Sequence, residues 1–119
     1  MDSLISCFAP DPDLVLIGTG VDEKDIGINE VKSHLERSLA QSEAASIQLG
    51  WTSVSAAGSV AWVAGDAIIH ARVKGKEISL PVRFTAVLEQ RNDRWLLMHF
   101  HDSMPSGEQG EGESWPTKR

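Results

Sequence analysis

The spacing of hydrophobic positions changes once along this chain. Val31, Leu35 and Leu39 recur at helical spacing among Glu30, Lys32, Glu36, Arg37 and Gln41, which predicts a helix over residues 29–45 with one apolar stripe. Asn29 is placed to accept first-turn amides, and Glu30 suits the positive end of the dipole. Beyond it the chain reads as β. Residues 46–55, 60–73 and 77–90 are rich in Val, Ile, Trp, Thr and Phe. They are separated by Ala56-Ala57-Gly58, Lys74-Gly75-Lys76 and Arg91-Asn92-Asp93, and a strand from Arg94 closes the set. Tight turns between long strands predict an antiparallel meander. Pro81 lies inside the third strand and predicts a bulge or bend there, because proline donates nothing to the ladder.

The first residues are less regular. Residues 1–9 are expected to form about two turns of helix, ending before Pro10. Asp11-Pro12-Asp13 is a turn, residues 14–19 read as a short buried strand, and residues 20–27 as an exposed acidic loop. After Met104 periodicity ends; a domain over residues 1–105 and a polar, mobile tail over residues 106–119, with Trp115 able to fold back onto the domain, are expected.

In the closing strand Trp95, Leu97, His99, His101 and Ser103 alternate with Leu96, Met98 and Phe100. Unbroken alternation puts the two imidazoles on one face, about 7 Å apart. Neither parity set of residues 60–73 is plainly solvated, so the sheet needs a cover on both faces. The helices supply one cover, and a second copy of the chain, forming a homodimer, is expected to supply the other.

Composition narrows the reading. A length of 119 residues with 41% hydrophobic and 24% charged residues fits one folded domain. The net charge of −6 arises entirely in residues 1–43, with nine Asp and Glu against three Lys and Arg, and no basic cluster suits nucleic acid. No apolar run is long enough to span a bilayer, and Met1-Asp2-Ser3 lacks the basic start of a signal peptide, so a cytoplasmic protein with no membrane partner is expected. Cys7 is the only cysteine, so it makes no intrachain disulfide and reads as a small buried residue.

Three segments carry a family likeness: Leu4-Ile-Ser-Cys-Phe-Ala-Pro-Asp-Pro-Asp-Leu-Val-Leu-Ile-Gly-Thr19, Gly58-Ser-Val-Ala-Trp-Val-Ala-Gly-Asp66, and Arg83-Phe-Thr-Ala-Val-Leu-Glu-Gln-Arg-Asn-Asp-Arg-Trp95 running on to His99-Phe-His-Asp-Ser103. With the order of elements, they resemble the SnoaL-like domains of the nuclear transport factor 2-like superfamily. The last segment also resembles the end of the calcium/calmodulin-dependent protein kinase II association domain. The resemblance implies an α+β fold, a cone-shaped curved antiparallel sheet with helices on one face, related to cystatin. It also implies a long N-terminal helix closing the cone, which residues 1–9 are too few to supply. Asp102 stands where the kinase domain carries a basic residue.

The resemblance implies a pocket for a small organic ligand, bordered here by Trp62, Asp66, Arg83, His99 and His101. If the protein is an enzyme, the expected chemistry is that of a lyase or isomerase acting beside a carbonyl, with Asp66 or His101 as base. A non-catalytic dimerisation module is the further alternative. Arg83 would clamp a ligand carboxylate or phosphate, or else pair internally with Asp66, Glu89 or Asp102. Trp51, Trp62 and Trp95 either fill the core or stack on a ligand. His99 and His101, with Asp66, His70 or Glu89, have ligand chemistry for a metal, but no further metal-spaced His or Cys signature supports one, and no metal or cofactor is expected. The chain contains no tyrosine to act as a phenolic donor.

Overall fold

The computed structural model describes residues 2–117. Met1, at the start of the expected N-terminal helix, and Lys118 and Arg119, at the end of the expected tail, lie outside the described residues. The elements are α1 (Asp2–Ile5), β1 (Val15–Ile17), β2 (Lys24–Ile26), α2 (Ile28–Ala40), β3 (Ala44–Ala57), β4 (Val60–Val73), β5 (Lys76–Arg91) and β6 (Arg94–Ser103). The six strands form one sheet in the order β2-β1-β6-β5-β4-β3. All pairs are antiparallel except β1 with β6, so the sheet is mixed rather than wholly antiparallel. It is curved and unclosed, with the helices on one face, an α+β arrangement.

Where the elements differ from expectation, pairing with the sheet is the reason. The helix α1 stops at Ile5 because the next residues join the edge of β6: Leu97 N–H donates to the Cys7 carbonyl at 2.8 Å and Ala9 N–H to that of Leu97 at 2.9 Å. Cys7 is exposed there, not buried. The expected acidic loop contains β2, a three-residue strand with no apolar alternation to announce it. Helix α2 begins after Gly27 at φ 85°, with no side-chain cap from Asn29; instead Glu30 accepts the Ile26 amide at 2.8 Å. It ends at Ala40 because Glu43 N–H already donates to the Arg72 carbonyl and Ala44 pairs with Arg72 in the sheet.

The hairpins β4–β5 and β5–β6 turn through Lys74-Gly75 and Asn92-Asp93, all four at positive φ, as two-residue hairpin turns require. Pro81 causes no register shift; it pairs in step with Ile68. Pairing of β5 with β6 starts only at Arg83, so one side of β5 is open at Pro81 and a missing N–H there removes no ladder bond. The irregularities fall elsewhere. One lies in β3 between Leu49 and Thr52, and one in β6, where Leu88 pairs with Leu97 and Val87 with His99, leaving Met98 without a partner.

That second bulge decides which side chains face the helices. Phe8, Leu14, Leu16 and Val31 form the buried cluster, with Ile5, Ile28, Leu35, Leu97 and Phe100 packed against it. Leu97 and Phe100 therefore share the helix-covered face, although an unbroken strand would put them on opposite sides. Register extends this face through Asp102, Phe84, Ala86, Gly65 and Ala67. Phe84 and Phe100 stack with ring centroids 5.7 Å apart. Towards β3 the face loses its cover, and Ile47, Leu49 and Val54 are exposed.

Gly65 is the tight point of this face. A Cβ there would stand 2.9 Å from the Phe84 ring and 2.9 Å from the Trp51 carbonyl oxygen. Gly65→Ala is expected to cost about 1–3 kcal/mol, read as a lower urea midpoint with unchanged slope. An unchanged midpoint would show that the contact relaxes freely.

Candidate functional site

The sequence-predicted residues come together on the face turned away from the helices. Three rows of register partners build it: Trp62, Val87 and His99; Ala64, Thr85 and His101; Asp66, Arg83 and Ser103. All five expected pocket residues thus share one face, but not the face that α2 covers. The bulge at Met98 turns Phe100 and Asp102 to the helix side and His99 and His101 outward.

Two shallow grooves run over this outer face. One of about 350 Å³ includes Gln48, Trp51, Asp66, Pro81 and Arg83; another of about 320 Å³ includes Trp51, Asp66, Arg83, Thr85 and His101. Among the described residues Arg83 makes no ion pair, neither with Asp66 beside it nor with Glu89, which pairs with Arg91 instead. Arg91 also makes hydrogen bonds to both carboxylate oxygens of Asp11, which hold the Asp11 carboxyl below its ordinary value. His70 sits between Ser79 Oγ and Gln48 Oε1, each at 3.0 Å, so its two nitrogens are occupied by neighbouring strands. Trp51, Trp62 and Trp95 are all exposed rather than core filling. Among the described residues no group of three or more His, Cys, Asp or Glu side chains is placed to hold a metal ion.

The helix-covered face carries a different constellation. Asp102, 9% exposed, is the buried charged residue of the described chain, and its Oδ1 has no hydrogen-bond partner. It pairs in register with Phe84, two positions beyond Phe100. A buried polar atom without a partner costs about 1–3 kcal/mol, so such a group calls for an explanation. Burial pushes the Asp102 carboxyl above its ordinary value; the like charge of Glu23 adds to this, while His101, a hydrogen bond from the residue's own backbone amide and His34 oppose it.

Glu23 and His34 belong to the same neighbourhood. Val31, His34 and Leu35 lie three and four apart on α2, so the imidazole shares the stripe that meets the sheet. Its Nδ1 bonds the Asp25 carboxylate and its Nε2 lies 3.6 Å from Glu23 Oε2. All three side chains are largely shielded, at 10% exposed for His34, 13% for Asp25 and 21% for Glu23. Glu23 is held by the Gly20 amide at 2.9 Å and by Arg37 at 3.3 Å. It lies over Gly18 and Gly20, where any Cβ would collide with it. An acid, an imidazole and a second acid thus stand in line beside a buried third carboxyl.

The sequence carried a trace of this site. His34 interrupts the Val31–Leu35 stripe, and a histidine at a core-facing helical position is a signal. Asp102 was legible only as a departure from a family pattern, because its inward orientation depends on the bulge.

A curved sheet, helices on one face and a polar cluster set against that face define an α+β fold of the nuclear transport factor 2-like type. The chain belongs to the SnoaL-like domain family, whose model matches residues 1–107. A search of curated proteins finds no match. Among solved structures, a candidate calcium/calmodulin-dependent protein kinase II association domain from Xanthomonas campestris is 25% identical, with TM-score 0.76 over 87% of this chain and 73% of its own. A candidate dehydratase of the nuclear transport factor 2-like family from Streptomyces avermitilis is 22% identical, with TM-score 0.79 over 89% and 82%. A nuclear transport factor 2-like superfamily protein from Salmonella enterica serovar Typhimurium is 18% identical, with TM-score 0.75 over 91% and 78%. Among the described residues no helix is long and apolar enough to cross a membrane.

Proposed function

We propose that this SnoaL-like domain binds a small, largely apolar organic molecule on the helix-covered face of its sheet, with Asp102 as the polar anchor. The observation that carries this is the buried Asp102 with a free Oδ1, set beside the stacked Phe84 and Phe100. The free Oδ1 accepts a hydrogen bond, so a ligand hydroxyl or N–H satisfies it. The uncovered apolar stretch towards Ile47 and Val54 gives the rest of such a molecule somewhere to lie.

The test is thermal shift with a panel of steroids, polycyclic aromatic ketones and aryl carboxylic acids. A ligand selective for the folded state at a hundred times its Kd stabilises by about 2.7 kcal/mol. The shift is expected to disappear in Asp102→Leu, which keeps the branching of the side chain and removes the polar anchor, and to persist in Arg83→Ala. A shift unchanged by Asp102→Leu would overturn the assignment.

A second reading rests on the line of Asp25, His34 and Glu23. An imidazole oriented by one carboxylate and close to another is the arrangement of a general base, and beside a ligand carbonyl it would serve a lyase or isomerase. The similarity to a candidate dehydratase is compatible with it. Exchange of α-protons from an added ketone, lost in His34→Ala and Asp102→Asn but kept in Asp66→Asn and His101→Ala, would establish this chemistry. No exchange above the buffer rate would exclude it for that ketone.

A further inference from the structure

The two edges of the sheet are unlike. One is β2, three residues long, with Lys24 and Asp25 on it, and so is short and charged in the way natural edges are kept from pairing. The other is β3, Ala44–Ala57, fourteen residues long and exposed throughout, with no charged residue and no proline. Its outward row of N–H and C=O groups faces no strand among the described residues. Ile47, Leu49, Trp51 and Val54 on it are each more than three-fifths exposed.

The outer four residues at each end of this edge are nearly the same read in either direction. Ala44-Ala-Ser-Ile-Gln-Leu-Gly50 is followed by Trp51-Thr-Ser-Val-Ser-Ala-Ala57. A two-fold axis between Gly50 and Trp51 sets Ala44 opposite the partner's Ala57, Ala45 opposite the partner's Ala56 and Ser46 opposite the partner's Ser55. It sets Ile47 opposite the partner's Val54 and Gln48 opposite the partner's Ser53. Alanine meets alanine, serine meets serine and Ile47 meets valine in the outer four pairs, the matching that stabilises antiparallel neighbours, while Leu49 faces the partner's Thr52 and Gly50 the partner's Trp51 at the bulge.

The faces agree as well, and the bulge is what makes them agree. Ile47 and Val54 are seven residues apart and would lie on opposite faces of a regular strand. The register shift between Leu49 and Thr52 instead pairs Ile47, Leu49, Thr52 and Val54 with Ile69, Ala67, Gly65 and Val63 of β4, all on one face. Under the two-fold, Ile47 and the partner's Val54 therefore lie on the same side, as directly opposed residues must. Because the bulge lies at the axis, both strands carry it at the same place and neither ladder slips against the other.

We propose that two copies of this chain pair edge to edge through β3, antiparallel about an axis between Gly50 and Trp51, making one continuous sheet. This contact is isologous and closed, so it stops at two copies. It lies apart from Asp102 and from the outer face of the sheet, and it borders the apolar stretch at Ile47 and Val54.

Sedimentation of the full chain over a range of concentrations, with a charge series on β3, tests it. Ser46 and Ser55 lie about 30 Å apart within one chain by strand rise, yet face one another across the axis. Ser46→Lys combined with Ser55→Lys is expected to weaken self-association at least about tenfold by opposing like charges. Ser46→Glu combined with Ser55→Lys is expected to restore it to within about threefold of the unsubstituted chain. Both positions are exposed, and circular dichroism checks that each variant is folded. A monomer at every concentration overturns the proposal, also where the edge takes up an extended peptide of another protein. Self-association abolished by Trp62→Glu on the outer face but unmoved by the paired lysines overturns it equally.

Discussion

Leu14→Ala is expected to lower the unfolding free energy by about 2–5 kcal/mol, the range for truncating a fully buried leucine that leaves its cavity unfilled. Leu14 is wholly inaccessible and stands with Phe8, Leu16 and Val31 at the centre of the buried cluster. Its carbonyl also accepts the Gly27 amide at 2.7 Å, tying the start of α2 to the strand. Losing the side chain therefore loosens the helix and β1 together. Against a typical domain stability of about 5–15 kcal/mol, the loss is a large share. Urea unfolding would show it as a lower midpoint, whereas Val21→Ala in the exposed loop before β2 should change stability by less than about 0.5 kcal/mol. Similar losses at the two positions would contradict the placement of the core beneath α2.

The second large effect runs the other way. Asp102→Asn is expected to raise stability at neutral pH by about 1–3 kcal/mol, because it replaces a buried carboxylate with a neutral group of the same shape. The sign follows from linkage. Burial raises the folded-state value of Asp102 above the ordinary 3.8, so below that pH the group is protonated in both states and carries no penalty. As pH rises from there through the folded value, the wild-type chain loses stability relative to the variant, and above it the difference is constant. Melting curves of the two proteins should therefore converge in acid and separate towards neutral pH. A less stable Asp102→Asn at neutral pH would mean that the carboxylate has a partner in the folded chain.

A group that costs stability where it stands is a candidate for function, since activity and stability draw on the same buried positions. The reading here is that Asp102 Oδ1 has no hydrogen-bond partner because a ligand completes it. The outer-face residues Asp66, Arg83 and His101 face open grooves and carry no comparable penalty.

Much of the fold was legible because strong local signals agreed with it. Val60–Val73 is bounded by tight turns on both sides, and its predicted limits match the strand found. The fold class followed from the order of elements and the family likeness. The site was less legible for a specific reason. Alternation along β6 assigns faces correctly only while pairing is regular, and one unpaired residue, Met98, reverses the assignment for everything after it. The parity argument that joined Trp95 and Leu97 to His99 and His101 thus grouped side chains from opposite faces. It also placed Phe100 away from the core it completes. β2 was missed because three polar-flanked residues carry no periodic signal, and with it went the means of seeing that Asp25 and Glu23 stand against His34.

The central claim is that the ligand site lies on the helix-covered face. Amide shift mapping by nuclear magnetic resonance, with the strongest stabiliser from the thermal-shift panel titrated into the full chain, tests it most directly. The account predicts perturbations centred on Phe84, Phe100 and Asp102 and extending to His34. Perturbations centred instead on Asp66, Arg83 and His101, with Phe100 and Asp102 unmoved, would contradict it.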